Sequence, residues 1–431
     1  TAQTLALIAH AHEASASAGP FLVVAPTSVV SNWKREAARF TPGLRVAEVT
    51  TTGRKQRQSL ADVAAGADIV LTSYAILRLD AEAFADVDWA GLVLDEAQFA
   101  KNPASKVHEA ARGIRAPFRL AVTGTPIENN LTELWALLRI VAPGLFASSR
   151  EFGEKYRRPI EVNHDAERLA RLRRRVRPFM LRRTKEAVAP ELPPKQEQVL
   201  EITLDPRHRR IYDTHLQRER QKILGLVDDL DRNRFIVFRS LTLLRMLSLD
   251  AALIDPEGYA QVPSAKLDAL LEQLDDVVQE GHQALVFSQF TSFLQRAAER
   301  LDAAGIPYSY LDGATRHRQR VIDGFRSGDG RVFLISLKAG GFGLNLTEAD
   351  YVFLLDPWWN PASEAQAVDR AHRIGQTKQV MVYRMVAANT IEEKVMALKE
   401  RKAALVSAVI DDDSFFSEAL SADDIRELLA G

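Results

Sequence analysis

The chain contains no cysteine in 431 residues. That excludes a disulfide framework and any thiolate zinc site, and it fits a reducing compartment. Long hydrophobic runs are missing too: none approaches the ~18 apolar residues that a membrane-spanning helix requires. The opening segment TAQTLALIAHAHEA has no basic flank and only a short apolar stretch, so it reads as a helix without its beginning and not as a signal peptide. Net charge is almost absent, at -1, so the chain as a whole carries no bulk electrostatic signature of nucleic acid. Its nine histidines show no metal-ligand spacing, and no short-period repeat or low-complexity tract occurs.

What is present is the composition of a soluble globular protein, 46% hydrophobic and 26% charged, long enough for two or three domains of ~150 residues. The small net charge conceals segregation. Residues 150–186 hold 13 Lys/Arg against 6 Asp/Glu, whereas residues 411–431 hold seven acids and one arginine. The acidic end, DDDSFFSEALSADDIRELLAG, reads as a short amphipathic helix that either braces its own domain or docks a partner.

Short runs of Val, Ile, Leu and Phe recur between turn residues: FLVVAP, ADIVLTSY, GLVLDEA and FRLAVTGTP, then QALVFSQF, YSYLDG, RVFLISLKAGG, ADYVFLLDP and QVMVYRMVA. Lacking polar alternation, they predict strands buried on both faces of parallel sheets, one sheet per series. Helical segments alternate with them, including SAKLDALLEQLDDVVQEGH and FTSFLQRAAERLDAAG, the latter closing on a Gly suited to a helix C-terminus. From about Phe146 to Pro263 the chain is Arg-rich, broken by PELPPK, and shows little strand character; helical insertions and a linker are predicted there. The fold class is therefore α/β, with two parallel-sheet units that are possible distant copies of one another.

In both series polar residues follow directly after the strands, where the ligand crevice of an open parallel sheet lies. Two such edges facing one another would form one cleft. In LVLDEAQFAKN, Asp95 and Glu96 stand where a strand-end carboxylate binds Mg²⁺ and the next acid orients an attacking water. Alone, the pair is also open to a plainer reading, a helix cap followed by a first-turn acid, which is the less favoured of the two. The turn Thr123-Gly124-Thr125-Pro126 can likewise be a simple helix start.

LVLDEAQFAKNPASK, LAVTGTPIENNLTELWALLRIVAPGLF, FMLRRTKEAV, LISLKAGGFGLNLTEADYVFLLDPWWNPASEAQAVDRAHRIGQT and VYRMVAANTIEEKV together resemble the Swi/Snf family of DNA-dependent ATPases in helicase superfamily two. The resemblance covers nearly the whole chain, with the motifs in family order. It implies two RecA-like lobes with helical insertions: residues 1–195, with a protrusion at about 146–190, and residues 196–431, with a protrusion at about 205–260 and C-terminal helices. It also implies ATP and Mg²⁺ as cofactors. Asp95, with Thr1, would hold the metal and Glu96 would activate water. Gln98 would couple the site to the other lobe, and Thr123, Gly124 and Thr125 would sense nucleotide state. In QAVDRAHRIGQ, Gln366, Arg370 and Arg373 are expected on adjoining helical turns, Arg370 and Arg373 as arginine fingers and Gln366 with Gly343 at the nucleotide.

The resemblance further implies double-stranded DNA as partner, held by its phosphates without base reading. Pro26, Thr27, Ser28, Thr72, Ser73 and Tyr74 would contribute from the first lobe. Ser288, Gln289, Lys338, Gly340 and Gly341 would do so from the second. The basic stretch RLARLRRRVRPFMLRR can border that path or be a solvated helix face. Trp358 and Trp359 read as packing residues and not as base-stacking platforms. A monomer is expected, without membrane attachment, with a protein on the DNA as a further candidate partner. Strand-separating helicases and non-enzymatic DNA-binding modules are the rival readings.

One departure stands out: no Gly-rich loop ending in Gly-Lys-Thr occurs in the chain. The opening TAQT matches the residues that follow the Lys in that motif. The expectation is thus a chain cut between that Lys and Thr1, impaired in ATP binding by itself. High Ala and Arg usage favours a bacterial or archaeal source and a nucleoid-associated cytoplasmic location; a eukaryotic source would place it in the nucleus.

Overall fold

The computed structural model describes residues 1–14, 19–53, 58–124, 130–146, 148–163, 165–181, 183, 185–226, 230–337, 344–359, 361–398, 425, 426, 428 and 429. The chain divides into two compact units, one formed by residues 1–182 and the other essentially by 183–431.

The first unit is built on β1 (Phe21–Ala25), β2 (Val46–Val49), β3 (Ile69–Ser73), β4 (Gly91–Asp95) and β5 (Phe118–Val122). All pairs are parallel, in the order β2-β3-β1-β4-β5. β1, β3 and the first four residues of β4 are buried, because a parallel sheet carries helices on both faces. Leu22, Val24, Val70, Leu92 and Leu94 share one core with Leu77, Phe84 and Ile140. A separate helical core, with Trp135, Phe152, Tyr156, Leu169 and Leu172, gathers the basic region. There the helix Ala166–Val176 buries Leu169, Leu172 and Val176 and is capped by Asp165, which accepts from the Arg168 amide. Its arginines therefore occupy the polar stripe of an amphipathic helix.

The second unit contains β6 (Lys195–Ile202), β7 (Ala284–Ser288), β8 (Tyr308–Leu311), β9 (Val332–Ser336), β10 (Tyr351–Leu354) and β11 (Val380–Ala387). They form one parallel sheet in the order β6-β11-β10-β7-β9-β8. Setting β6 aside, this is the strand order of the first sheet, so the two units are topological copies. The helices Ala265–Gln279 and Thr291–Ala304 fall where the sequence places them, and Gly305 ends the second at φ +70°.

β6 corrects the expectation of little strand character between Phe146 and Pro263. KQEQVLEI is exposed at most positions and, among the described residues, pairs only with β11, at the sheet edge. A strand without a buried face has no apolar run to reveal it. The two helices that follow, Pro206–Leu224 and Leu230–Leu249, supply the helical insertion. At the acidic end, Ile425, Leu428 and Leu429 are buried against Val237, Leu241, Ile391 and Val395, so these residues brace their own unit. No helix among the described residues is long and apolar enough to cross a membrane.

Candidate active site and its supporting network

In the first sheet the chain runs from β1 toward β2 on one side and from β4 to β5 on the other. The carboxyl ends of β1 and β4 therefore flank the switch point where such sheets open a ligand crevice. Asp95 ends β4 at that point, and both of its carboxylate oxygens have neutral donors. Trp33 Nε1, on the helix Thr27–Phe40 after β1, donates to Oδ2 at 2.7 Å, and the Glu96 amide donates to Oδ1 at 3.1 Å. Tyr74 donates its hydroxyl to the Asp95 carbonyl at 2.9 Å. Burial, aided by the charges of Asp95 and Glu96, raises the Tyr74 pKa well above the ordinary phenol value, so the phenol remains a donor.

Glu96 has φ +52°, in the left-handed region that non-glycine residues seldom occupy. A backbone held there costs about 1–3 kcal/mol and persists only where neighbours fix it. Here Gln98 Nε2 donates to Glu96 Oε2 at 2.7 Å, and Thr123 Oγ1 donates to Gln98 Oε1 at 2.7 Å. Asp95, Glu96, Gln98 and Thr123 thus form one hydrogen-bonded line from the end of β4 to the end of β5. Gly124 is exposed beside it, and Thr125 lies outside the described residues.

The Asp95 carboxylate fits a hard divalent cation. It is an oxygen donor at a partly exposed strand end, and among the described residues no Lys or Arg is paired with it. Two neutral N–H partners orient it while leaving its negative charge in place. Thr1 is partly buried, its carbonyl accepting from the Leu5 amide.

The residues expected to meet DNA are placed unevenly. Thr27 is exposed at the start of its helix, while Pro26 is buried; the Ser28 side chain lies outside what is described. Thr72 is fully enclosed and donates to the Val49 carbonyl, and Ser73 caps the helix Tyr74–Leu79. Tyr74 is buried, its ring stacked 5.3 Å from Phe99. In the second unit Ser288 is buried at the end of β7 and bonds Asp356 Oδ1 at 2.5 Å. Gln289 donates to the same carboxylate and accepts from Arg245 Nη1 at 3.2 Å. Arg245 lies over the rings of Phe290 and Trp359. Lys338, Gly340, Gly341 and Gly343 lie outside the described residues.

The arginine motif corrects a geometric expectation. Its helix, Pro361–Val368, ends before either arginine. Arg370, Ala371 and His372 then turn back through amide bonds to Ala367 and Val368, and Gly375 at φ +104° closes the turn. Gln366 is partly buried on the helix. Arg370 is buried with its guanidinium 5.9 Å from the Phe287 ring centroid, and Arg373 is exposed. The helical-face argument fails here because an i+3 spacing has no face once the helix has stopped.

Three supporting residues carry no signal in the sequence by themselves. Trp33 sits in an otherwise polar SNWKRE, Arg245 is one arginine among many, and Gln376 is a single amide. Gln376 nevertheless donates to the Thr347, Ala349 and Ala371 carbonyls and accepts from the Thr377 and Lys378 amides. Only the folded geometry selects them.

Comparison with known proteins matches residues 1–250 to the SNF2-related domain and residues 265–375 to the helicase conserved C-terminal domain. YwqA of Bacillus subtilis is 35% identical, over 99% of this chain and 47% of its own length. The mouse chromodomain-helicase-DNA-binding protein 1-like is 36% identical, over 96% of this chain and 47% of its own. The ISWI chromatin-remodeling complex ATPase ISW1 of Saccharomyces cerevisiae is 32% identical, over 96% and 38%. The chain thus spans under half the length of these relatives. Among solved structures, the Sulfolobus solfataricus SWI2/SNF2 ATPase core in complex with dsDNA is 31% identical, covering 95% of this chain and 85% of that one, with a TM-score of 0.44.

Proposed function

The chain belongs to the SNF2-related family, and from that membership we propose that it is the ATP-hydrolysing motor of a double-stranded DNA translocase. The observation that carries the reading is the hydrogen-bonded line from Asp95 through Glu96 and Gln98 to Thr123. A carboxylate that orients an attacking water has to be held in place, and a coupled motor needs that placement to depend on a second element.

In this mechanism Asp95, with Thr1, holds the divalent cation, whose charge offsets that of the phosphates. Glu96 orients the attacking water and receives its proton at a carboxylate oxygen. Gln98 sets the rotation of that carboxylate, and Thr123 sets Gln98, so a change at the Thr123-Gly124-Thr125 turn alters the base. Arg370 and Arg373 neutralise charge developing on the transferred phosphoryl group, a contribution of ~10³-fold or more where such residues are known. Gln366 and Gly343 contact the nucleotide. Thr27, Ser28, Ser73, Gln289, Lys338, Gly340 and Gly341 supply the phosphate track of the duplex, and Pro26, Thr72, Tyr74 and Ser288 shape the loops that carry it.

The test is ATP turnover by the full-length protein with and without duplex DNA, beside its Glu96→Gln variant. Duplex-stimulated turnover that falls by ~10²-fold or more in the variant, with DNA binding retained, is the expected result. Turnover indifferent to DNA, or unchanged in the variant, contradicts the proposal. Strand displacement by the wild type would favour a strand-separating helicase instead.

A further inference from the structure

The turn that carries Arg370 and Arg373 has left its helix, so something outside the helix must fix it. Gln376 holds the inner side through the three carbonyls described above, and the Leu346 amide donates to the Arg370 carbonyl at 3.0 Å. The outer side is held by residues far away in sequence. Lys185 Nζ donates to Asp369 Oδ1 at 2.5 Å and to the His372 carbonyl at 2.6 Å. The His372 ring, itself buried, reaches the Pro193 carbonyl through Nε2 at 2.8 Å. Lys185 and Pro193 both belong to the segment that follows directly on residue 182, where the first unit ends. Asp369 and His372 bracket Arg370, and His372 directly precedes Arg373. The opening stretch of the second unit is therefore bonded at two places to the turn that carries both arginines.

We propose that Lys185 is a positioning residue for the arginine turn: by bridging Asp369 and the His372 carbonyl, it fixes the direction in which Arg373 projects. The inference rests on the reading of Arg370 and Arg373 as residues that act on the phosphoryl group. Geometry favours placement over stability as the role of Lys185. The Lys185 side chain is 33% exposed and that of Asp369 47%, and ion pairs that exposed contribute little to folding. A donor shared between a side chain and a main-chain carbonyl, by contrast, fixes the turn at two points. Displacing a phosphoryl-contacting group by ~1 Å can cost up to ~10²-fold in rate.

The test uses the full-length protein with Lys185→Met, Lys185→Arg, Asp369→Asn, the double variant K185M/D369N, and Arg373→Ala as reference. Lys185→Met is expected to lower kcat about tenfold, with KM for ATP and DNA affinity within about twofold and Tm within about 2 °C. Lys185→Arg is expected to restore most of the loss. Asp369→Asn should reproduce it in part, and the double variant should be no worse than Lys185→Met, because both act through one contact. If Arg373→Ala abolishes turnover while Lys185→Met leaves kcat unchanged, the positioning role is wrong and the arginine reading stands. If Lys185→Met lowers Tm and raises KM together with its loss of kcat, the residue is structural and the proposal is overturned. If Arg373→Ala itself retains full turnover, the arginine reading fails and the inference fails with it.

Discussion

Asp95 has both carboxylate oxygens held by neutral donors, and Trp33 is the donor that can be removed most cleanly. Trp33→Phe keeps an aromatic ring in a fully buried position and deletes only the N–H. Loss of a partner that orients a metal ligand costs ~10–100-fold in metal affinity. The expected outcome is that the Mg²⁺ concentration for half-maximal turnover rises about tenfold, and that Mn²⁺ binding followed by paramagnetic resonance weakens in parallel. An unchanged metal dependence would sink this role for Trp33. Thr123→Val tests the other end of the line: it removes the donor to Gln98 and is expected to lower the ratio of DNA-stimulated to basal turnover, while basal turnover persists. An unaltered ratio would separate Thr123 from coupling. Asp95, Glu96 and Thr123 can be picked out from sequence because each follows an apolar strand. Trp33 cannot, because its partner is 62 residues away and only the parallel pairing of β1 with β4 brings them together.

At the scale of elements, legibility follows burial. Interior strands such as β1, β4, β7 and β9 announce themselves as apolar runs because both faces are covered. β2, a four-residue strand with Glu48 in it, and β6, with Lys, Gln and Glu among its residues, are edge strands, and composition alone does not distinguish them from loops. β6 is nonetheless well anchored. Burial works against ionisation of Glu197, yet hydrogen bonds from Arg384 and Lys195 bring its pKa down to about 2.

The helical insertion of the second unit carries its own pH dependence. His208, fully enclosed, reaches the Leu247 carbonyl at 2.6 Å, and burial lowers its pKa below the ordinary histidine value. The unfolded chain therefore binds the proton first, and stability falls as pH drops through the ordinary histidine range near ~6.5. Chemical denaturation from pH 7.5 to 5.5 is expected to show that loss in the wild type and a shallower slope in His208→Gln. An identical slope would contradict the assignment. His108, buried against the Ala100 carbonyl and shifted in the same direction, leaves a residual slope in the variant.

Deeper in the same unit, Lys266 is fully buried and donates to the Leu355 and Met385 carbonyls and to Glu392 Oε2. Removing one partner strands a buried charge, so Lys266→Met is expected to cost ~3–5 kcal/mol, and K266M/E392L to recover most of it. Equal losses in the single and double variants, measured by denaturant unfolding, would refute that account.

For the whole molecule, the two sheets repeat one strand order, β2-β3-β1-β4-β5 and β8-β9-β7-β10-β11, with β6 added to the second. This likeness could be suspected from two series of strands but not ordered, since order is set by long-range pairing. The copies differ at their switch points. Asp95 ends β4 among neutral donors, whereas Asp356, just beyond β10, is almost fully buried with Ser288, Gln289 and the guanidinium of Arg245 3.7 Å away. Arg245 thus already supplies the cationic partner of Asp356, and the first unit keeps the carboxylate suited to a metal. If the duplex is held by its phosphates, log affinity should fall linearly with log salt, with little change between DNA sequences. A strong sequence preference at fixed salt would contradict backbone recognition.

The central claim is that Glu96 activates water under the control of duplex DNA. It is tested most directly by steady-state ATP hydrolysis of the full-length protein and its Glu96→Gln variant across a titration of duplex DNA, with single-stranded DNA in parallel. The account predicts turnover that rises with duplex, rises less with single strands, and is lost in the variant although the variant still binds DNA. Turnover that ignores DNA, or survives Glu96→Gln, would contradict it.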